Sequence, residues 1–238
     1  MAKSLIYSVV TNNYDNIKPV KPIEGFDFWL FTDQEDMKVE GWETKLIPKS
    51  DDPIKQQRTY KIKSCEFTAP YDLTIYMDGN MEIIQSPKEF LDKYYRGGFL
   101  TCKHPKRSSL NEEAKEIVKR KKDFPENVER ALGYAKEVGY KDDLGLFENM
   151  VLVRDKSPAV KALEDKWAEI LSKYSHRDQL SLPIASFLTK VPVHTLLRED
   201  LFKYIKRNRG HHISLKFRNK GKGPSTKRNF FKWLGLKK

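Results

Sequence analysis

Asp78 and Asn80 stand two residues apart at the end of an apolar, β-branched and aromatic run, Leu73-Thr74-Ile75-Tyr76-Met77. A carboxylate with an amide oxygen two residues on suits a hard divalent cation and the phosphates such an ion carries. Asp-Gly-Asn is also an ordinary turn, so the tripeptide by itself leaves both readings open. Upstream, Arg58 and Lys61 lie three residues apart in a helical pattern and share a face that can meet a diphosphate. Asn12 and the pair Thr32-Asp33 close two earlier apolar runs, where polar atoms either hydrogen-bond a base or ribose or simply end the strand. His104, Lys106 and Arg107 form a cationic loop, a second candidate site for an anion or an acceptor, although His104 reads equally as a surface histidine. Asp178 and Gln179 follow Arg177 at the start of an apolar helix, where the helix dipole favours an acid.

These residues need elements to hold them. Ser4 to Thr11 and Asp27 to Phe31 read as buried strands, Thr44 to Ile47 as a weaker one, and Leu73 to Met77 as the strand that delivers Asp78 to its tip. Between them Ile54 to Thr68 reads as one helix, closed by Pro70. Phe99 to Cys102 and Leu144 to Val153 return to strand character, the latter interrupted by Glu148-Asn149, a pair that points to a bulge or a site-facing segment. Residues 110 to 139 suggest two polar helices, and Pro158 to Tyr174 a long one with Val160, Leu163, Trp167, Ile170 and Leu171 on its core stripe. Val191 to Leu197 reads as a last strand, with His194 at its core or edge. Strands alternating with helices imply an α/β domain with a mainly parallel sheet flanked by helices, whose ligands bind at the carboxyl ends of the strands.

The chain has 238 residues and a net charge of +12. That charge is local: 13 of its 45 Lys and Arg lie from Lys203 onward without an Asp or Glu, leaving 32 basic against 33 acidic residues in 1–202. Two parts follow, an α/β body over 1–202 and a basic C-terminal segment over 203–238 that could cover the site. The two cysteines, Cys65 and Cys102, form no metal-ligand spacing, and no apolar run resembles a signal peptide, so a cytoplasmic chain with free thiols is expected. Lysines interleaved with Phe230, Phe231 and Trp233 make 227–238 a candidate contact with an anionic membrane, with nucleic-acid binding as the rival class. A metal-dependent phosphohydrolase is the alternative enzyme, since an acid at a strand tip can act as a nucleophile.

Four blocks, in order, carry a family resemblance: Arg58-Thr59-Tyr60-Lys61-Ile62, Tyr76-Met77-Asp78-Gly79-Asn80, His104-Pro105-Lys106-Arg107 with Glu112-Glu113-Ala114, and Arg177-Asp178-Gln179-Leu180-Ser181. Together they resemble a small glycosyltransferase-like domain of the GT-A type that also occurs in plant proteins linked to cell-wall mucilage and turgor regulation, and that is distantly similar to glycogenin-like transferases. The resemblance implies a GT-A fold and transfer of a sugar from a nucleotide-diphospho-sugar, most simply a UDP-sugar, to a glycan, lipid-linked or protein acceptor, with retention favoured over inversion. It implies Mn²⁺ or Mg²⁺ on Asp78 and Asn80, with His211 or His212 as a further ligand, phosphate neutralised by Arg58 and Lys61, and Asp178-Gln179 near the reacting sugar. The chain departs from the DxD pattern at Asn80, whose amide can coordinate a hard cation but adds no charge.

Overall fold

The computed structural model describes residues 4–208. The chain opens with β1 (Ser4–Val10), β2 (Phe26–Thr32) and β3 (Glu43–Leu46), followed by helices α1 (Pro53–Ile62) and α2 (Ser64–Phe67). Next come β4 (Leu73–Met77), β5 (Met81–Ile83), α3 (Pro87–Tyr94), β6 (Phe99–Lys103), α4 (Leu110–Lys119) and α5 (Pro125–Glu137). β7 (Phe147–Asp155), α6 (Pro158–Lys173), α7 (Asp178–Thr189), β8 (Val193–Leu196), α8 (Arg198–Leu201) and β9 (Ile205–Arg207) complete it. Seven strands form one sheet in the order β3-β2-β1-β4-β7-β6-β8. Its strands run parallel except β7, which is antiparallel to both β4 and β6. The mainly parallel α/β class expected from the alternation of elements is therefore the class observed.

Strand periodicity of two sends alternate residues of β1 to opposite layers. Leu5, Tyr7 and Val9 join the core built with α4 to α7, including Ile117, Trp167 and Leu180. Ile6 and Val10 join the other core, with Phe90 of α3, Met81 of β5 and Leu201 of α8. Both faces of the central strands are thus covered, which is why they read as unbroken apolar runs.

The single helix expected over 54–68 is two helices, and the reason lies far away in sequence. α1 starts on Asp52, whose carboxylate accepts from the Lys55 N–H at 2.9 Å, with Pro53 in the first turn. At its other end the fully buried Arg154 of β7 donates to the carbonyls of Ile62 at 2.7 Å and Lys61 at 2.9 Å. Glu164 of α6, paired with Arg154 at 3.1 Å, accepts from the Cys65 N–H at 2.8 Å and from the Ser64 hydroxyl. The buried ion pair thus takes the orphan groups of both helix ends at Lys63 and clamps the break onto the sheet.

β8, at Val193–Leu196, is an edge strand with His194 exposed, and it is not the last strand. β9 pairs antiparallel with β5, with Ile205 buried and the Asn208 N–H donating to the Asn80 carbonyl at 2.8 Å. Residues 203–208, which open the basic segment, therefore include a strand seated beside the Asp78-Gly79-Asn80 turn. The apolar run expected at 144–153 forms β7 at Phe147–Asp155, with a register shift opposite Thr101 and Cys102. Among the described residues no helix is long and apolar enough to cross a membrane.

Candidate functional site

β1 has β2 on one side and β4 on the other, so the order of the parallel strands reverses between β1 and β4. The carboxyl ends of these two strands frame a switch-point crevice, the place where open α/β sheets bind ligands. Asp78 follows directly on β4, its N–H donating to the Met150 carbonyl at 2.9 Å, and its own carbonyl accepts from the Met81 N–H at 2.9 Å. Gly79 has no room for a side chain: a Cβ there would come within 2.7 Å of the Asp15 Cβ and 2.9 Å of the Val10 Cγ2. The glycine lets the loop after β1 lie against the turn and brings Asp15 beside Asp78. Gly79→Ala is expected to destabilise the protein by about 1–3 kcal/mol through this overlap. An unchanged thermal midpoint would show that the loop yields freely.

Lys61 is the centre of the site. It is 2% exposed, and its ammonium lies 2.7 Å from Asp178 Oδ2 and 3.4 Å from Asp78 Oδ1. A lysine from α1 thereby ties the start of α7 to the tip of β4. The Tyr76 hydroxyl donates to Asp78 Oδ1 at 2.7 Å and accepts from Gln57 Nε2 at 2.9 Å, while Arg58 Nη1 donates to Gln57 Oε1 at 2.7 Å. Among the described residues Asp78 Oδ2 has no hydrogen-bond partner, and the side chain is 33% exposed. One oxygen is thus bonded within the cluster, and the carboxylate is partly open to solvent.

Electrostatics bind the cluster further. Burial works to raise the Asp178 pKa, but Lys61, Arg58 and Arg177 together hold it well below the usual carboxylate range. Burial works against the charge of Arg58, and the fields of Asp178 and Asp78 outweigh it, raising its pKa. Arg177 is shifted down by burial and then by the charge of Arg58. Tyr14 is shifted up by burial and by Asp15, and it lies within reach of the charges of Arg58, Arg177 and Asp78. Among the described residues the buried Nε atoms of Arg58 and Arg177 have no hydrogen-bond partner.

The structure brings Arg58, Lys61, Asp78 and Asp178 into one constellation. Gln179 flanks it, its Nε2 3.4 Å from the Phe147 carbonyl. Asn12, Thr32 and Asp33 do meet at adjacent strand ends, but as fasteners of the loop after β1. The buried Asp33 carboxylate accepts from the Asn12 backbone N–H at 2.8 Å and from Gln34 Nε2 at 2.7 Å, and Thr32 Oγ1 accepts from the Gln34 N–H at 3.2 Å. Asn12 and Asn13 take positive φ values of 52° and 50°, a conformation asparagine tolerates. His104 is buried in its loop, not on the surface: its Nδ1 accepts from the Lys106 and Arg107 N–H groups at 3.2 and 2.9 Å. Burial, then Arg107 and Arg198, push its pKa down to about 4, so it is neutral at physiological pH. Arg107 Nε binds the buried Glu113, and Lys106 is exposed.

Asn80 is buried at 8% exposure and its backbone carbonyl accepts from Asn208, while the Asp78 side chain is 33% exposed. Mg²⁺-type sites use one or two carboxylates with substrate phosphates and water, which this donor set fits. Among the described residues no group of three or more His, Cys, Asp or Glu is placed to hold a metal ion, and His211 and His212 lie outside the described residues.

Tyr14, Asp15 and Arg177 were not among the expected site residues, and Asn149 was expected only as part of a bulge or a site-facing segment. Asn149 interrupts an apolar strand, and the signal was visible. It is 3% exposed, both its amide oxygen and nitrogen lack partners, and it precedes the residue whose carbonyl receives the Asp78 N–H. An unsatisfied buried amide beside a crevice is a costly feature that a ligand can relieve.

No family model and no curated protein matches the chain. Its fold is similar to that of a solved structure of WbbM, a bifunctional glycosyltransferase in its apo form. The TM-score is 0.47 at 10% identity, over 82% of this chain and 39% of that one.

Proposed function

We propose that the chain is a metal-dependent glycosyltransferase that takes a sugar from a nucleotide-diphospho-sugar, with a UDP-sugar as the donor and a glycan, lipid-linked or protein acceptor. The observation that carries this reading is the Lys61 ammonium held between Asp78 and Asp178 at the switch-point crevice, with Arg58 beside it. Such a site offers cations to a diphosphate and a partly exposed carboxylate to a divalent ion.

A Mn²⁺ or Mg²⁺ ion on Asp78, when bound, supplies Lewis-acid stabilisation of the leaving diphosphate. The chain's own residues do the rest. Arg58 and Lys61 share the charge that develops on the diphosphate in a partly buried setting, where such fixed donors count most. Tyr76 and Gln57 hold Asp78 in place. Asn149, with an idle donor and acceptor, orients hydroxyls of the donor sugar. Asp178 remains ionised and paired to Lys61, so it is a poor proton acceptor at neutral pH, since an efficient general base has a pKa near the working pH. That favours retention of configuration, with Asp178 stabilising positive charge on the sugar rather than deprotonating the acceptor. The basic segment beyond residue 208, with His211 and His212, serves as cover and as a source of a further metal ligand, and 227–238 as a contact with anionic membrane.

A panel of nucleotide-diphospho-sugars incubated with the full chain and Mn²⁺ tests this. Release of the nucleotide from at least one donor, lost on chelation, is expected. No turnover of any donor and no retention of any nucleotide would overturn the reading.

A further inference from the structure

Beside the switch-point crevice lies a second group of cations that the proposed reaction does not use. Arg177 caps the start of α7, and its guanidinium makes no hydrogen bond among the described residues, its Nε being buried and unpartnered. The loop carrying it is fastened to the one after α4: Ser175 Oγ donates to Asp123 Oδ2 at 2.6 Å, and His176 Nε2 lies 3.3 Å from the Lys122 carbonyl. This sets Lys122 next to Arg177, close enough for Arg177 to help depress the lysine pKa, after burial. Arg107, Arg177 and Lys122 all act on the buried Glu113, but only Arg107 is bonded to it.

His104 adds an independent sign. A neutral imidazole has one N–H and one acceptor nitrogen. Here the Nδ1 of this 7%-exposed ring faces two backbone N–H groups, at 3.2 and 2.9 Å, and Nε2 faces Arg107 Nη2 at 2.9 Å. Donors confront both ring nitrogens, so in either tautomer the cluster is one acceptor short. The acids nearby already have partners, Glu113 in Arg107, Asp123 in Ser175 and Asp178 in Lys61, so the idle guanidinium and the missing acceptor describe a place prepared for an anion.

We infer that the acceptor carries a phosphoryl group, seated between Arg177, Lys122 and Arg107 and adjoining the donor diphosphate at Arg58. The inference rests on the glycosyltransferase reading for the word acceptor, and on the cluster itself for the anion. Guanidinium forks match phosphoryl oxygens, and an oxygen bridging Arg107 and the His104 Nε2–H supplies the missing acceptor. Arg58 joins this group to the donor site: Arg177 directly precedes Asp178, which Lys61 of the same helix as Arg58 binds at 2.7 Å.

The test titrates the full chain by calorimetry with inorganic phosphate while UDP and Mn²⁺ are present at saturation. Phosphate is expected to bind in addition to UDP, and Arg177→Gln and Lys122→Gln are each expected to weaken it about tenfold, with UDP affinity unchanged in Lys122→Gln. Neither side chain is bonded to the body, so both variants should fold, as circular dichroism will show. Phosphate that fails to bind, that UDP displaces, or that both variants bind as well as the parent does would overturn the inference. The heat of UDP binding is read separately. Its absence would overturn the nucleotide-sugar reading, while phosphate binding lost in both variants would still establish the anion site.

Discussion

Asp78→Ala is expected to reduce kcat/KM for the donor on the order of 100-fold or more, because it deletes the carboxylate that orients the cation and with it the charge stabilisation of the leaving group. The fold should survive. Lys61 keeps its closer partner, Asp178 at 2.7 Å, when the oxygen at 3.4 Å is removed. The Tyr76 hydroxyl loses its acceptor but still receives the Gln57 amide, and the one-third exposure of Asp78 admits water to replace it. The stability cost should therefore be about 1 kcal/mol. Steady-state turnover and a thermal melt together check the prediction. Turnover within a few-fold of the parent, or a loss explained entirely by unfolding, would sink it.

Lys61→Met should have the opposite profile, with its largest effect on stability. It leaves Asp178 buried and ionised without its bonded cation, and breaking a buried pair in this way costs about 3–5 kcal/mol. The dependence on pH identifies the cause. Asp178 has its pKa depressed in the folded protein, so in the parent its stabilisation is present above the unfolded value of about 3.9 and is lost only as the pH falls through the lower folded value. Without Lys61 burial prevails and the folded pKa rises. The deficit of the variant is then greatest at neutral pH and shrinks as the pH falls into the range where Asp178 is protonated in both states. Urea denaturation of parent and variant at pH 7 and near pH 4 measures this; a deficit that does not change with pH would mean that lost packing, not the stranded carboxylate, is responsible.

Much of this site was legible in the chain because the residues sit at strand tips and helix starts, where local patterns are strongest. The apolar run ending at Met77 placed Asp78, and the three-residue spacing of Arg58 and Lys61 placed two cations on one helix. Spacing could not show that Lys61 turns inward to join residues 17 and 117 positions away. The same limit explains the break between α1 and α2, which follows from Arg154 and Glu164, 92 to 100 residues further on. β9 was hidden because its three residues, Ile205-Lys206-Arg207, read as part of a basic segment, and only pairing with β5 makes them a strand. Asn12, Thr32 and Asp33 were read as polar residues at adjacent strand ends, and they do meet there, where the Asp33 carboxylate and the Thr32 hydroxyl also fasten the loops. Asn149 was legible as part of a bulge or a site-facing segment, but that its amide and the Arg177 Nε lack partners among the described residues is visible only in three dimensions.

In the proposed reaction Asp78, held by Lys61 and Tyr76, presents a divalent ion to a nucleotide diphosphate. Calorimetric titration of the full chain with UDP, with and without Mn²⁺, is the decisive measurement. Binding is expected to require Mn²⁺ and to disappear in Asp78→Ala; the same heat with and without the metal, unchanged by that substitution, would rule this role of Asp78 out.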